Sequence, residues 1–208
     1  MIIAQAVPEE SETVYWMLQR RLLPHAMHVY ARLSDARRQY DWGSHDKDEI
    51  PTWASHNLGY LLAAQVKFTE AEVMYKQALE GKEETLGVDH TSTLTTVNNL
   101  GNLYQNQGRL AEAEGMYKRA LVWYEKVFAA EHTPTLAIVN NLGLLYSNQG
   151  KLEKAEVMYK RALAGCEKAL AAEHTSTLDI VNNLGLLYSN QGKLTDSETM
   201  YKRALEGK

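Results

Sequence analysis

The chain has 208 residues, of which 45% are hydrophobic and 23% charged, the balance of a folded protein and not of a disordered tail. A net charge of −4 leaves it without the basic surface that nucleic acid or an anionic membrane requires, so neither is expected as a partner. Cys166 is the single cysteine, which excludes an internal disulfide framework and a cysteine zinc cluster and fits a reducing, cytoplasmic setting.

Met1 to Val7 is a short apolar stretch with no basic lead, and Glu9, Glu10 and Glu12 follow it, unlike a secretory signal. No apolar run approaches the roughly 18 to 20 residues that span a bilayer. Ser11 to Leu23 and His25 to Tyr40 read as helices separated by Pro24. Ala26, Val29, Leu33 and Ala36 fall at the apolar positions of a second helix, so residues 1–48 are expected to form a degenerate helical cap or connector. His25 and His28 share a helical face but find no third metal ligand. Asp41, Asp46, Asp48 and Glu49 lack the ordered spacing of a calcium loop and read as a solvated linker.

From residue 49 onward the sequence repeats. His90, His132 and His174 stand 42 residues apart, and the same step joins Leu94, Leu136 and Leu178, then Asn99, Asn141 and Asn183. A weaker unit lies one period earlier, where Asn57, Gly59, Leu62, Gln65, Phe68, Ala71 and Tyr75 precede Asn99, Gly101, Tyr104, Gln107, Leu110, Ala113 and Tyr117. Four units follow, at about 49–90, 91–132, 133–174 and 175–208.

Each unit predicts two helices. In the second, Leu94, Val97, Leu100, Gly101 and Tyr104 form one apolar stripe and Leu110, Ala113, Tyr117, Ala120 and Leu121 another. Asn106-Gln107-Gly108 and its copies at Gly150 and Gly192 put glycine where a helix end takes a left-handed residue. The first helix is expected to start with Thr133 as cap and Pro134 in the first turn, with Thr91-Ser92 and Thr175-Ser176 in the same place. Gly101, Gly143 and Gly185, with Ala113, Ala155 and Ser197, are read as spacers where paired helices approach. Seven tyrosines, at 75, 104, 117, 146, 159, 188 and 201, take core positions.

The pattern Leu-Gly-x-x-Tyr followed by Ala-x-x-x-Tyr-x-x-Ala-Leu resembles the tetratricopeptide repeat (TPR) signature, over about three quarters of the chain. The 42-residue period exceeds that family's usual length of about 34 by about eight residues, either two further turns of the second helix or a longer loop after it. This 42-residue form, with His-Thr-x-Thr-Leu and Asn-Asn-Leu-Gly-x-Leu-Tyr, is similar to the repeats of kinesin light chains and of the TPR arms of fungal NLR-like signalling ATPases. The resemblance implies an all-α fold, a right-handed α-solenoid of antiparallel helix pairs. It also implies a scaffold that holds a protein or peptide in a concave groove lined by the first helices. The alternative is a regulatory, sensor or oligomerisation arm of a larger signalling protein.

The resemblance places groove positions at Asn57 of the first unit, Thr95, Asn98, Asn99, Asn102 and Asn106 of the second, Asn140, Asn141, Leu144 and Asn148 of the third, and Asn182, Asn183, Leu186 and Asn190 of the fourth, with Ala137 and Asp179 beside them. Asparagine offers donor and acceptor together, so the ladder Asn57, Asn99, Asn141 and Asn183 either pairs with the backbone of an extended ligand or ties helix to helix. None of these positions is basic, so binding through a terminal carboxylate is not expected. The pairs Lys118-Arg119, Lys160-Arg161 and Lys202-Arg203 read as a solvated outer face.

No constellation points to catalysis, a cofactor or a metal. The three histidines one repeat apart should stand about 10 Å from one another, too far to share an ion, and read as junction residues. Gly143 to Lys151 lacks the glycine spacing and preceding strand of a phosphate loop. Cys166 has no basic neighbour to activate it. The last helix runs to Lys208 with an apolar face of the kind a further repeat covers, so a fragment or end-to-end self-association is expected.

Overall fold

The computed structural model of the chain describes Pro24, His28, residues 52–128 and residues 131–207. The cap expected over residues 1–48 lies outside the described residues apart from Pro24 and His28, both helical and exposed. Among the described residues eight further helices follow: α1 (Thr52–Ala64), α2 (Phe68–Leu86), α3 (Thr91–Asn106), α4 (Leu110–Val127), α5 (Thr133–Asn148), α6 (Leu152–Ala169), α7 (Thr175–Asn190) and α8 (Leu194–Glu206). There is no strand among the described residues. The fold class is an all-α solenoid of helix pairs.

The length of the repeat is resolved within the helices. A first helix of 16 residues, as in α5, is followed by a three-residue turn and a second helix of 18, as in α6, before a short linker leads to α7. The surplus residues therefore extend the second helix.

The turn after the first helix is built by backbone bonds. Gly150 takes φ +71°, its N–H donates to Ser147 O at 3.0 Å, and the Lys151 N–H donates to Tyr146 O at 2.8 Å. Together these bonds satisfy carbonyls that a helix end leaves open. The same geometry recurs at Gly108 and Gly192. After α1 the left-handed position falls to Val66, at φ 61° and 70% exposed.

The start of the first helix differs from the sequence reading. The recurring histidine, and not the threonine, is the N-cap of α5 and α7. His90 and His174 each accept from a serine backbone N–H, Ser92 and Ser176, through Nδ1 at 3.2 Å. In α5 the serine is replaced by Pro134, which has no N–H to give. His132 accordingly makes no side-chain cap bond, and its ring stacks on Phe128, centroids 4.3 Å apart and 11° from parallel.

Two compact units share the chain, one ending at Leu103 and the other beginning at Tyr104. In the first, α1 packs along α2 around Leu58, Leu61, Leu62, Met74, Tyr75 and Ala78, all buried. In the second, α5 pairs with α6 and α7 with α8, while α4 packs on α5 and α6 on α7, so each pair covers the next. Burying a leucine or methionine in such a layer contributes about 1.5 to 3 kcal/mol.

Close approach within a pair depends on glycine. A Cβ added to Gly143 would lie 2.7 Å from the Tyr159 ring, and one on Gly59 would lie 2.8 Å from that of Tyr75. Six of the seven repeat-register tyrosines are buried, and Tyr201 on α8 is half-buried. Neighbouring pairs in the second unit are also tied by charge. Glu156 on α6 takes Lys160 from its own helix, then Gln191 at 3.0 Å and Lys193 at 3.1 Å from the turn after α7. These partners, Lys160 first, draw the Glu156 carboxyl down to about 2. Glu114 on α4 receives Lys118, Gln149 and Lys151 in the same way.

Candidate functional site: the exposed strip of the first helices

The first helices are buried on nearly every side. Between Thr135 and Tyr146 of α5 the only residues that are not buried are Ala137, Asn140, Asn141 and Leu144. Between Thr177 and Tyr188 of α7 they are Asp179, Asn182, Asn183 and Leu186, and between Thr93 and Tyr104 of α3 they are Thr95, Asn98, Asn99 and Asn102. The spacing of three, four and seven residues sets each group along one stripe of its helix. In the second unit α5 packs on α4, α6 and α7, and α7 on α5, α6 and α8, which leaves this stripe as the way out to solvent.

All fourteen positions expected from sequence lie outside the core. Thr95, Asn102, Asn106, Asn148, Asn182, Leu186 and Asn190 are exposed, and Asn57, Asn98, Asn99, Asn140, Asn141, Leu144 and Asn183 are half-buried. In the second unit the Asn183 amide donates to Asn140 Oδ1 at 3.1 Å, joining α7 to α5. In the first, Asn99 Nδ2 stands 3.5 Å from His56 Nε2, joining α3 to α1. The ladder therefore ties helix to helix at these two rungs. An amide has a second N–H and a carbonyl oxygen, so one such bond does not exhaust it.

The same stripe on α1 consists of Trp53, His56, Asn57 and Tyr60, the residues between Ala54's predecessor and Leu61 that escape burial. Sequence reasoning found only Asn57, although the 42-residue register aligns Trp53, His56 and Tyr60 with Thr95, Asn98 and Asn102.

Beneath this stripe lies a buried polar chain that the sequence did not disclose. Lys82 on α2 is only 5% exposed, and its ammonium donates to Thr96 Oγ1 at 2.9 Å and to the Ser92 carbonyl at 3.2 Å. Thr96 Oγ1 stands 3.0 Å from His56 Nδ1 and donates to Ser92 O at 3.1 Å. One proton arrangement satisfies every contact: a neutral His56 with its proton on Nδ1 donates to Thr96, and Nε2 accepts from Asn99. Burial, then the charge of Lys82, lowers His56 to about 4, which keeps that imidazole neutral. Desolvation lowers Lys82 to about 8. In other repeats Tyr124 and Cys166 stand where Lys82 does, and Ile138 and Ile180 where Thr96 does, so a sister junction of the array is apolar at this point.

The outer charges are engaged in pairs. Lys118, Lys160 and Lys202 each reach back four residues to Glu114, Glu156 and Glu198. Arg161 pairs with Glu125, and Arg203 with Glu167. Cys166 is buried, and burial pushes its thiol above the ordinary range. No group of three or more His, Cys, Asp and Glu among the described residues could hold a metal ion. No helix among them is long and apolar enough to cross a membrane.

Comparison with known proteins agrees with this geometry. The tetratricopeptide repeat family model matches residues 51–126, 92–168 and 134–208. No curated protein matches the chain in sequence. Among solved structures, BtubC (BKLC) from P. vanneervenii is similar with a TM-score of 0.69 at 23% identity, over 93% of this chain and 71% of that one. The nearly identical TPR-like repeats of a Podosopora anserina protein assigned as a kinesin light chain are similar in two structures. One, the Q17M variant, has a TM-score of 0.69 at 20% identity, over 92% of this chain and 91% of that one. The other has a TM-score of 0.67 at 21% identity, over 92% of each chain. The repeat these proteins share is in general a protein–protein interaction scaffold and not an enzyme. A family match running from residue 51 to 208, on helix pairs with a single stripe left open on each first helix, establishes that this chain belongs to the tetratricopeptide repeat family.

Proposed function

We propose that the chain binds a protein partner through an extended segment laid on the open stripes of the first helices. The observation that carries this reading is the selectivity of burial. Within residues 93–104 of α3, 135–146 of α5 and 177–188 of α7 the residues that escape the core fall at the same four register positions, and asparagine fills seven of those twelve places. A packed layer has no need of so many amides on one exposed row, whereas a ligand backbone presents N–H and C=O groups that amides satisfy whatever its side chains. The single thiol, buried on α6, suits a cytoplasmic scaffold.

The test is binding of a displayed library of random dodecapeptides to the chain and to the variant with Asn99, Asn141 and Asn183 replaced by alanine. Loss of recovery from a variant that keeps its helical circular dichroism supports the reading, and undiminished recovery overturns it. Because two of these amides also tie helices together, the single change Asn182→Ala, on an exposed amide, serves as the control that leaves those bonds intact.

A second reading, self-association through α8, has its own observation. Leu194 and Leu205 are 70% and 72% exposed. The Glu198 side chain is 65% exposed, where Glu114 and Glu156 in the same register are 20% and 18% exposed beneath the turn of the following pair. Sedimentation velocity across a concentration series decides it: a mass that rises with concentration supports self-association, and a constant monomer mass rules it out.

A further inference from the structure

The open stripes of α5 and α7, both in the second unit, differ from that of α3 in a way the fold does not require. At the ninth register position α3 carries Asn102, yet α5 carries Leu144 and α7 carries Leu186. Leu186 is 49% exposed, and Leu144 is half-buried. The register therefore accepts a polar residue there, and the exposed side of Leu186, with the half-buried Leu144 at the same position of the neighbouring pair, is not required by the fold. At the second position α3 and α5 carry Thr95 and Ala137, and α7 carries an exposed aspartate, Asp179.

Asp179 is also electrically isolated on this surface. It is the sole Asp, Glu, Lys or Arg within α5 and α7 together, while their companions α6 and α8 are crowded with charge. The exposed strip of the second unit is thus neutral amide and leucine with one negative end. Seven residues separate Asp179 from Leu186, two helical turns or about 10 Å. An extended chain covers that distance in about three residues.

Resting on the peptide-binding reading above, we propose that the second unit selects segments with an apolar side chain set against Leu144 and Leu186 and a lysine or arginine about three residues away, opposite Asp179. Apolar burial between two leucines supplies the anchor, and the carboxylate supplies orientation and preference. An acidic segment meets no cation on this strip and is disfavoured by Asp179.

The experiment uses the whole chain and dodecapeptides recovered from the random library. The expected consensus is an apolar residue with Lys or Arg about three positions from it. Asp179→Ala, which copies Ala137, should weaken binding of such a peptide about two- to five-fold and flatten its salt dependence. Leu186→Asn, which copies Asn102, should weaken it about ten-fold at any salt concentration. Both changes borrow a residue that the same register already accepts, and unchanged thermal melts verify that the fold is kept. Recovery of acidic or charge-free segments, or an Asp179→Ala variant that binds the basic peptide as well as the parent, overturns this inference and leaves the peptide-binding reading standing. Failure to recover any peptide overturns both.

Discussion

Val66 shows how much one residue can depart from its repeat. It holds a left-handed φ of 61° where sister turns have glycine, and being 70% exposed it obtains little packing in return. A β-branched side chain in that region costs about 1 to 2 kcal/mol, partly offset by the greater unfolded-state freedom of glycine. Val66→Gly is therefore expected to stabilise the first unit by about 0.5 to 1 kcal/mol, read as a higher urea midpoint. An unchanged or lower midpoint would show that the turn is relaxed as it stands.

Lys82 and His56 make the first unit sensitive to pH in two separate windows. His56 is lowered in the folded chain from 6.5 to about 4, so the folded state binds fewer protons than the unfolded one between those values. Its contribution is intact above about pH 6.5 and is lost as the pH falls toward 4. Lys82 is lowered from 10.5 to about 8. Its ammonium is held at a cost below pH 8, and stability gains as the pH rises from 8 toward 10.5. Lys82→Met should remove the alkaline slope from urea melts at pH 7.5, 8.5 and 9.5 and leave the part of the acid slope that burial of His56 causes, without the part due to the Lys82 charge; an alkaline slope that survives would place its origin in another group. This pair was invisible in the sequence because a lysine late in one helix and a histidine in another become neighbours only after three helices have packed. The signal available was the register itself, in which Lys82 and Thr96 stand against Tyr124 and Cys166, Ile138 and Ile180.

At the scale of the helix, the sequence pattern located the elements well because apolar spacing, the left-handed glycines and the 42-residue step all derive from local geometry. Two features needed coordinates. The surplus residues were equally compatible with a loop or a longer second helix, and it was burial of Gly165 and Cys166 near the end of α6 that extended the helix. The N-cap moved from threonine to histidine because an imidazole reaches the N–H two residues on, and it fails at His132 only where Pro134 removes that donor. The spacing glycines allow a direct check. Gly143→Ala improves helix propensity by about 1 kcal/mol, but its Cβ would fall 2.7 Å from the Tyr159 ring. Overpacking should dominate and destabilise the second unit by about 1 to 3 kcal/mol in a urea titration. A neutral result would mean that α5 and α6 can separate without loss.

The candidate site was legible as a row and not as a set of roles. Spacing sufficed to put Asn140, Asn141, Leu144 and their counterparts on one stripe, since a helix wheel needs no tertiary information. Whether an amide faces a ligand or a neighbouring helix depends on where that neighbour stands, and Asn183 bonding to Asn140 across 43 residues of chain could not be read from either residue. The aromatic members Trp53, His56 and Tyr60 were passed over because the first unit departs furthest from the repeat consensus.

For the whole molecule, the proposed binding mode has partners engaging the open stripes of the first helices and not the charged outer faces of the second. The most direct measurement is a nitrogen-15 heteronuclear correlation spectrum recorded while a recovered peptide is titrated into the labelled chain. The expected result is that the side-chain amides of Asn182 and Asn190 and the backbone amides around Leu144 and Leu186 shift first and furthest. Shifts centred on Lys118, Lys160 and Lys202, with the asparagine amides unmoved, would contradict it.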